Sequence, residues 1–376
     1  MCKSRSEDSL RCHRDKLRTM EYFVILTPKC GGGFSERLDD LTRQWQAWLD
    51  AHQCSKSQLL ATRVYLSDAI NQWPAVENHS LYIQFLSVGA VSYVEQPPLS
   101  GCKIALALLV STRNWSHAGT SERHVLSLGE LRLLFHSVRY VSADVSGLGT
   151  YEQTERAFKE HVGWLQQYGL NLKDHCQRTW IYVRDIDRHY APMVKARNAF
   201  FEENDLTPRT HFIASTGIEG YSLSPAATVV VDFFSVSGLD DSRILYLQAP
   251  EFLNPTYEYG VAFERGTRLS LPHGDLFLIS GTASIDKHGV CLYPGDVVRQ
   301  LDRLFLNIDA LLRSGEAEMR HLRSMTVYLR DVSDYETVER YMQAHFPSVP
   351  YVITSARVCR PEWLVEVEAV GWKAIE

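Results

Sequence analysis

Hydrophobic and polar positions along this chain alternate between two periods, and the same succession of periods occurs three times. Apolar residues recur every three or four positions, the mark of a helix that buries one face, over 35–52, 151–168 and 297–314. A short β-branched and aromatic run then ends each time in nearly the same way. The three endings are Val64-Tyr65-Leu66-Ser67-Asp68, Ile181-Tyr182-Val183-Arg184-Asp185 and Val327-Tyr328-Leu329-Arg330-Asp331. A second helical stretch follows each, at 70–86, 189–204 and 335–345, and strand-like runs close the copies at 103–111, 228–236 and 364–372. Strand pairs precede the first helix of the later copies, at 131–143 and 268–285, while the first copy keeps only 22–26 there. The pattern predicts an α+β protein of three β-α-β-α-β units, each with helices on one face of a mixed sheet. Boundaries are expected in the Ser-, Thr- and Gly-rich 112–123 and in 237–242, which gives units at 20–123, 124–240 and 241–376. The basic, polar stretch 1–19 has no apolar signal-peptide core, and is read as a disordered extension or a misassigned start before Met20.

Composition narrows the function. A formal charge of −6 offers no general attraction for nucleic acid or an anionic membrane, so neither is an expected partner. Any anionic ligand must be held by local arginines. The eight cysteines stand singly and form no C-x-x-C pair, which suggests neither a structural zinc site nor a disulfide framework and fits a reducing cytoplasm. No apolar run reaches membrane-spanning length. Glycines do not form G-x-G-x-x-G ahead of a helix, and phosphate-loop and Ser-His-Asp motifs are absent. No cofactor and no metal is expected.

The candidate chemistry lies in the last quarter. Ser280-Gly281-Thr282-Ala283-Ser284-Ile285 is answered by Cys359-Arg360 and by Leu364-Val365-Glu366-Val367-Glu368. Along the closing strand Val365, Val367 and Ala369 share one face, and Leu364, Glu366 and Glu368 the other. If the apolar set packs on the helices, the glutamates look away from them. Two partly desolvated carboxylates this close cannot both ionise cheaply, so one should hold its proton toward neutral pH. Solvated carboxylates, or carboxylates paired with arginines, are the alternative reading of the same alternation.

The β-α-β-α-β unit resembles the RidA/YjgF fold, whose members form trimers with ligand clefts between subunits. Three such units in one chain imply a pseudo-trimer. The second and third units together resemble the chorismatases, which split chorismate into pyruvate and a ring product. The matching pieces are Arg178-Thr179-Trp180 with Tyr182; Tyr259-Gly260 with Phe263 and Arg265; Ser280 to Ile285 with His288; Gly295-Asp296 with Gln300 and Asn307; and Cys359-Arg360 with Leu364 to Glu368. The likeness covers roughly residues 130–376. It departs at Ile181, where the family usually has asparagine, and around Thr216, where the ligand-facing loop matches loosely.

The resemblance implies a metal-free lyase acting on a small dianion, chorismate, from a monomer or weak oligomer. Glu366 would be the acid that protonates the enolpyruvyl methylene, with Glu368 as electrostatic partner. Arg178, Arg197 and Arg265 would clamp the carboxylates, which guanidinium forks pair best. Tyr182, Thr216, Tyr259 and Ala283 complete the substrate contacts it implies. Gly281 would let the ligand ring approach the strand, and its pairing with Cys359 resembles the 3-hydroxybenzoate-forming branch; other members hydrolyse chorismate to a dihydroxycyclohexadiene carboxylate. A RidA-type enamine or imine deaminase is the rival enzyme, but valine (Val352) stands about where its arginine should follow Pro350. A non-catalytic small-molecule binder on the same scaffold is the other alternative.

Overall fold

The computed structural model describes residues 21–29 and 31–375. The stretch 1–19, read above as an extension, lies outside the described residues. Within them the three copies of the pattern become three sheets with one strand order. In the first, β1 (Glu21–Leu26), β4 (Ile104–Ser111), β2 (Leu59–Leu66) and β3 (Ala90–Glu95) lie side by side in that order. The second repeats it with β7 (Leu131–Val138), β10 (Val229–Ser237), β8 (Cys176–Val183) and β9 (Ala214–Glu219). The third repeats it with β13 (Gly274–Thr282), β16 (Val365–Ala374), β14 (Leu322–Leu329) and β15 (Tyr351–Ser355). In each, the last strand in sequence runs antiparallel between its neighbours, and the outer pair is parallel. Each sheet therefore belongs to a RidA-like unit, and the fold is α+β.

Six long helices cover the outer faces: α1 (Phe34–His52), α2 (Ala69–Glu77), α3 (Thr150–Gln166), α4 (Ile186–Glu203), α5 (Val297–Ser314) and α6 (Tyr335–His345). Their buried residues keep helical spacing. In α1, Leu38, Leu41, Trp45 and Leu49 form one stripe against the first sheet. Asp296 starts α5 by accepting the Arg299 N–H at 3.0 Å. The aspartates of the repeated strand endings serve the turns that follow: Asp68 accepts from Asn71 N–H, and Asp331 from Ser333 N–H.

Three local expectations need correction. The 112–123 stretch is not a plain linker, because it carries β5 (Ser116–Gly119), which pairs with β6 (Arg123–Leu128) at the edge of the second sheet. The strand pair expected at 131–143 is accordingly β6 with β7, shifted toward the N-terminus. The helix expected over 70–86 breaks after Glu77, where the His79 ring accepts the Leu81 N–H and starts a separate short helix, Ser80–Gln84. In the third sheet β11 (Ile244–Tyr246) and β12 (Gly266–Leu271) occupy the places of β5 and β6.

Register identifies the equivalent positions of the three repeats. Tyr65 stands opposite Ala105, Tyr182 opposite Val230, and Tyr328 opposite Glu366. One step further in, Ala107, Asp232 and Glu368 correspond. An acid at the outer position occurs in the third repeat alone. The three tyrosines are buried, and Tyr65 and Thr326 share a hydrogen bond of 2.9 Å between the first and third units.

Candidate active site

The two glutamates of β16 share a strand face and nearly complete burial, at 4% and 6% exposure, yet have different neighbours. Glu368 is fully engaged. One oxygen accepts from Arg63 at 2.9 Å; the other accepts from Arg178 at 2.9 Å and from the Thr216 hydroxyl at 2.8 Å. These partners come from β2, β8 and β9, so the carboxylate ties the third unit to both others. Arg63 in turn lies 4.3 Å over the Trp180 ring. Among the described residues Glu366 has no ion-pair partner. Burial first, and the charge of Glu368 second, push its carboxyl up to about 8, against opposing pulls from Arg178 and Arg265. At neutral pH it is a carboxylic acid.

Glu366 faces a cavity of about 300 Å³ between the second and third units. Its walls come from α4 (Tyr190, Arg197), β9 (Ser215, Gly217), the segment before β12 (Tyr259 to Arg265), the end of β13 (Gly281, Ala283) and the loop ahead of β16 (Cys359, Arg360). Serine bonds close the seam between units. Ser280 accepts the Ser215 N–H at 2.9 Å and donates to the Glu264 carbonyl at 2.6 Å. Gly281 donates its N–H to Thr216 Oγ1 at 3.0 Å. A Cβ at Gly281 would stand 2.0 Å from Glu366 Oε1, so the absence of a side chain there makes room for the carboxyl itself.

Three arginines line this cavity against one acid, Glu366. Arg197 is 2% exposed, and its Nε and Nη2 have no partner among the described residues. Arg265 is 7% exposed; its Nη2 donates to the Asn254 carbonyl at 2.9 Å, while its Nε is unpartnered. Arg360 donates to the Gly289 carbonyl at 3.2 Å and packs over Tyr259 and Trp363. A buried guanidinium without a counter-ion is costly, and an anion entering the cavity would relieve that cost. Burial lowers the proton affinity of Arg197, partly offset by Tyr190 and Tyr259. The Cys359 thiol is pushed up to about 12 by burial and then by Glu366. It is a neutral thiol at pH 7, not a thiolate nucleophile.

The structure thus brings Glu366, Cys359, Arg197, Tyr259, Arg265, Gly281 and Ala283 to one cavity. Four expected contacts stand outside its lining: Glu368, Arg178 and Thr216, which satisfy one another, and Tyr182, whose hydroxyl is buried without a partner. Arg178 is therefore committed to Glu368 and does not reach the cavity as a clamp. Sequence reasoning missed Tyr190. It lies two helical turns before Arg197 on α4, and that spacing could have found it. Among the described residues no group of three His, Cys, Asp or Glu side chains is placed to hold a metal ion, and no helix is long and apolar enough to cross a membrane.

Known proteins share all or part of this architecture. Residues 265–372 match the family described as Endoribonuclease L-PSP. A RutC family protein of Pyrococcus abyssi (strain GE5 / Orsay) is 26% identical over 102 residues, which is 27% of this chain and 80% of the relative. The 3-hydroxybenzoate synthase of Streptomyces hygroscopicus is 25% identical over 260 residues, 61% of this chain and 73% of the relative. A crystal structure of a chorismatase superposes with a TM-score of 0.66 at 16% identity, covering 94% of this chain and 98% of that one. The chain has three RidA-like units arranged in the chorismatase fold. In sequence it resembles the 3-hydroxybenzoate synthase named above.

Proposed function

We propose that this protein is a chorismatase-like lyase that converts chorismate to pyruvate and 3-hydroxybenzoate, with Glu366 as the general acid. One observation carries the reading: a buried, protonated carboxyl faces a cavity whose other charged groups are arginines, two of them with unpartnered N–H groups. That is the complement of a dianion whose reaction begins by accepting a proton. The similarity to a 3-hydroxybenzoate synthase supports the product, and the fold shared with a chorismatase supports the substrate.

In this scheme the substrate carboxylates pair with Arg197 and Arg265, which replaces lost hydration and fixes the enolpyruvyl group beside Glu366. The acid proton adds to the methylene carbon and leaves an oxocarbenium centre. The bond between ring carbon and ether oxygen then breaks, its electron pair going to oxygen, and pyruvate departs. The neighbouring ring hydroxyl closes on the ring cation, its proton returning to Glu366, and the epoxide so formed takes up a proton and opens at the hydroxyl's former carbon. Loss of the proton on the carbon that pyruvate left then makes the ring aromatic, with the hydroxyl moved by one carbon. Capture of water by the same cation would give the dihydroxycyclohexadiene carboxylate instead. Cys359 and Tyr190, facing the same space, are placed to influence that choice. The three units act as a fused pseudo-trimer with catalysis confined to the seam that holds Glu366.

Incubation of purified protein with chorismate tests the proposal, with pyruvate read by a coupled reductase assay and the ring product by chromatography. Pyruvate with 3-hydroxybenzoate is expected from wild type, and a loss of at least 100-fold from Glu366→Gln, the usual scale for removing a general acid. No pyruvate from wild type, or equal pyruvate from the variant, would overturn the assignment. Chorismate binding without turnover would indicate a silent binder.

A further inference from the structure

A second cavity, of about 170 Å³, lies where the three sheets face one another, away from Glu366. Phe23, Leu109, Phe135, Trp180, Leu278 and Val370 supply its apolar walls, and each unit contributes to them. Most of these side chains are half-buried, so water reaches the apolar surface, an arrangement that favours an apolar occupant. An engineered apolar cavity of about 150 Å³ in another protein takes up benzene, so this one has room for a single six-membered ring.

The polar groups decide what the ring carries. Arg63 Nε and Trp180 Nε1 are buried, have no partner among the described residues, and belong to side chains that stack on each other beside the cavity. Leaving two buried donors unmet is costly, and an acceptor atom on a bound molecule would recover part of that cost. Charge argues against an anion. The Arg63 guanidinium is already paired with Glu368 at 2.9 Å, and Asp232, which also lines the cavity, with Arg139 at 2.8 Å. The other cavity differs in charge, being lined by arginines with unpartnered N–H groups.

We infer that this central cavity is a binding site for an uncharged six-membered-ring compound bearing one hydrogen-bond-accepting oxygen, held by Arg63 and Trp180. Nothing in the inference depends on the reaction proposed at Glu366.

Phenol is the probe, titrated calorimetrically into the full chain, with benzene and benzoate as comparators. One saturable site for phenol is expected, with benzene at least threefold weaker for want of the oxygen, and benzoate not displacing phenol. Ala61→Leu, at a half-buried lining position, should weaken phenol at least tenfold by filling the space. Trp180→Phe should weaken phenol and leave benzene unchanged. Arg265→Ala should leave phenol uptake intact, because that residue lines the other cavity. The inference fails if wild type shows no saturable uptake, if Ala61→Leu binds as wild type does, or if Arg265→Ala abolishes uptake. Should the Ala61 variant not fold, electron density from a phenol-soaked wild-type crystal decides. Phenol between Arg63 and Trp180 supports the site, and phenol only beside Glu366, or nowhere, refutes it.

Discussion

Replacing Glu366 with glutamine should stabilise the protein at neutral pH, by an amount that vanishes in acid. Burial and the Glu368 charge push the folded-state carboxyl up to about 8, from an ordinary value of 4.5 that applies when the chain unfolds. Between those limits the folded state keeps a proton that the unfolded state has released, so stability falls as pH rises through the window. Below the window both states are protonated, and the variant and wild type should agree. At pH 7 the gap approaches about 3 kcal/mol for a rigid site, and about 2 if water partly relaxes it. In a chain of this length that is a rise of roughly 3–4 °C in melting temperature for cooperative unfolding. Scanning calorimetry of both proteins from about pH 4 to pH 8 reads the effect directly. A difference in melting temperature that does not change with pH, or a variant that is less stable at neutral pH, would mean that Glu366 ionises like a solvated carboxylate. The cavity would then hold a carboxylate at neutral pH and no acid poised to protonate a ligand.

Further tests separate the parts of the site. With Glu366 as acid, turnover should be flat below its titration and fall about tenfold per pH unit above about 8, measured as a pH–rate profile for kcat. Arg197→Ala and Arg265→Ala should each weaken dianion binding by roughly tenfold or more, by calorimetric titration with chorismate or an unreactive analogue, while the circular dichroism stays unchanged. Gly281→Ala should displace the carboxyl, since its Cβ would meet Oε1 at 2.0 Å, and turnover should drop at least tenfold with melting temperature nearly kept. Glu368→Gln would leave Arg63 and Arg178 without their shared counter-ion, and a loss of about 3–5 kcal/mol is expected by denaturant unfolding.

Much of this architecture could be read from the chain because it is written three times. The strand endings at Tyr65, Tyr182 and Tyr328 and the helical periods around them place the sheets and all six long helices. Weak elements escaped: Ser116-His117-Ala118-Gly119 has no apolar alternation to mark it as a strand, yet pairing with β6 makes it one. The site was partly legible for a related reason. Alternation along β16 put Glu366 and Glu368 on one face, but could not say which would be free. That distinction rests on Arg63, contributed by the first unit, which meets Glu368 across most of the length of the chain. No local pattern encodes such a contact. Arg178 carried the same ambiguity, since a strand arginine looks alike in sequence whether it holds a ligand or another side chain.

The carboxyl opposite Tyr328, against Ala105 and Val230 at the matching places, bears on how such a chain can change. A symmetric trimer of separate subunits repeats each substitution at every interface, so an alteration that suits one must suit all. Covalent linkage in one polypeptide lifts that constraint. One junction can specialise in proton delivery while the other two accumulate ordinary packing residues and keep the assembly rigid.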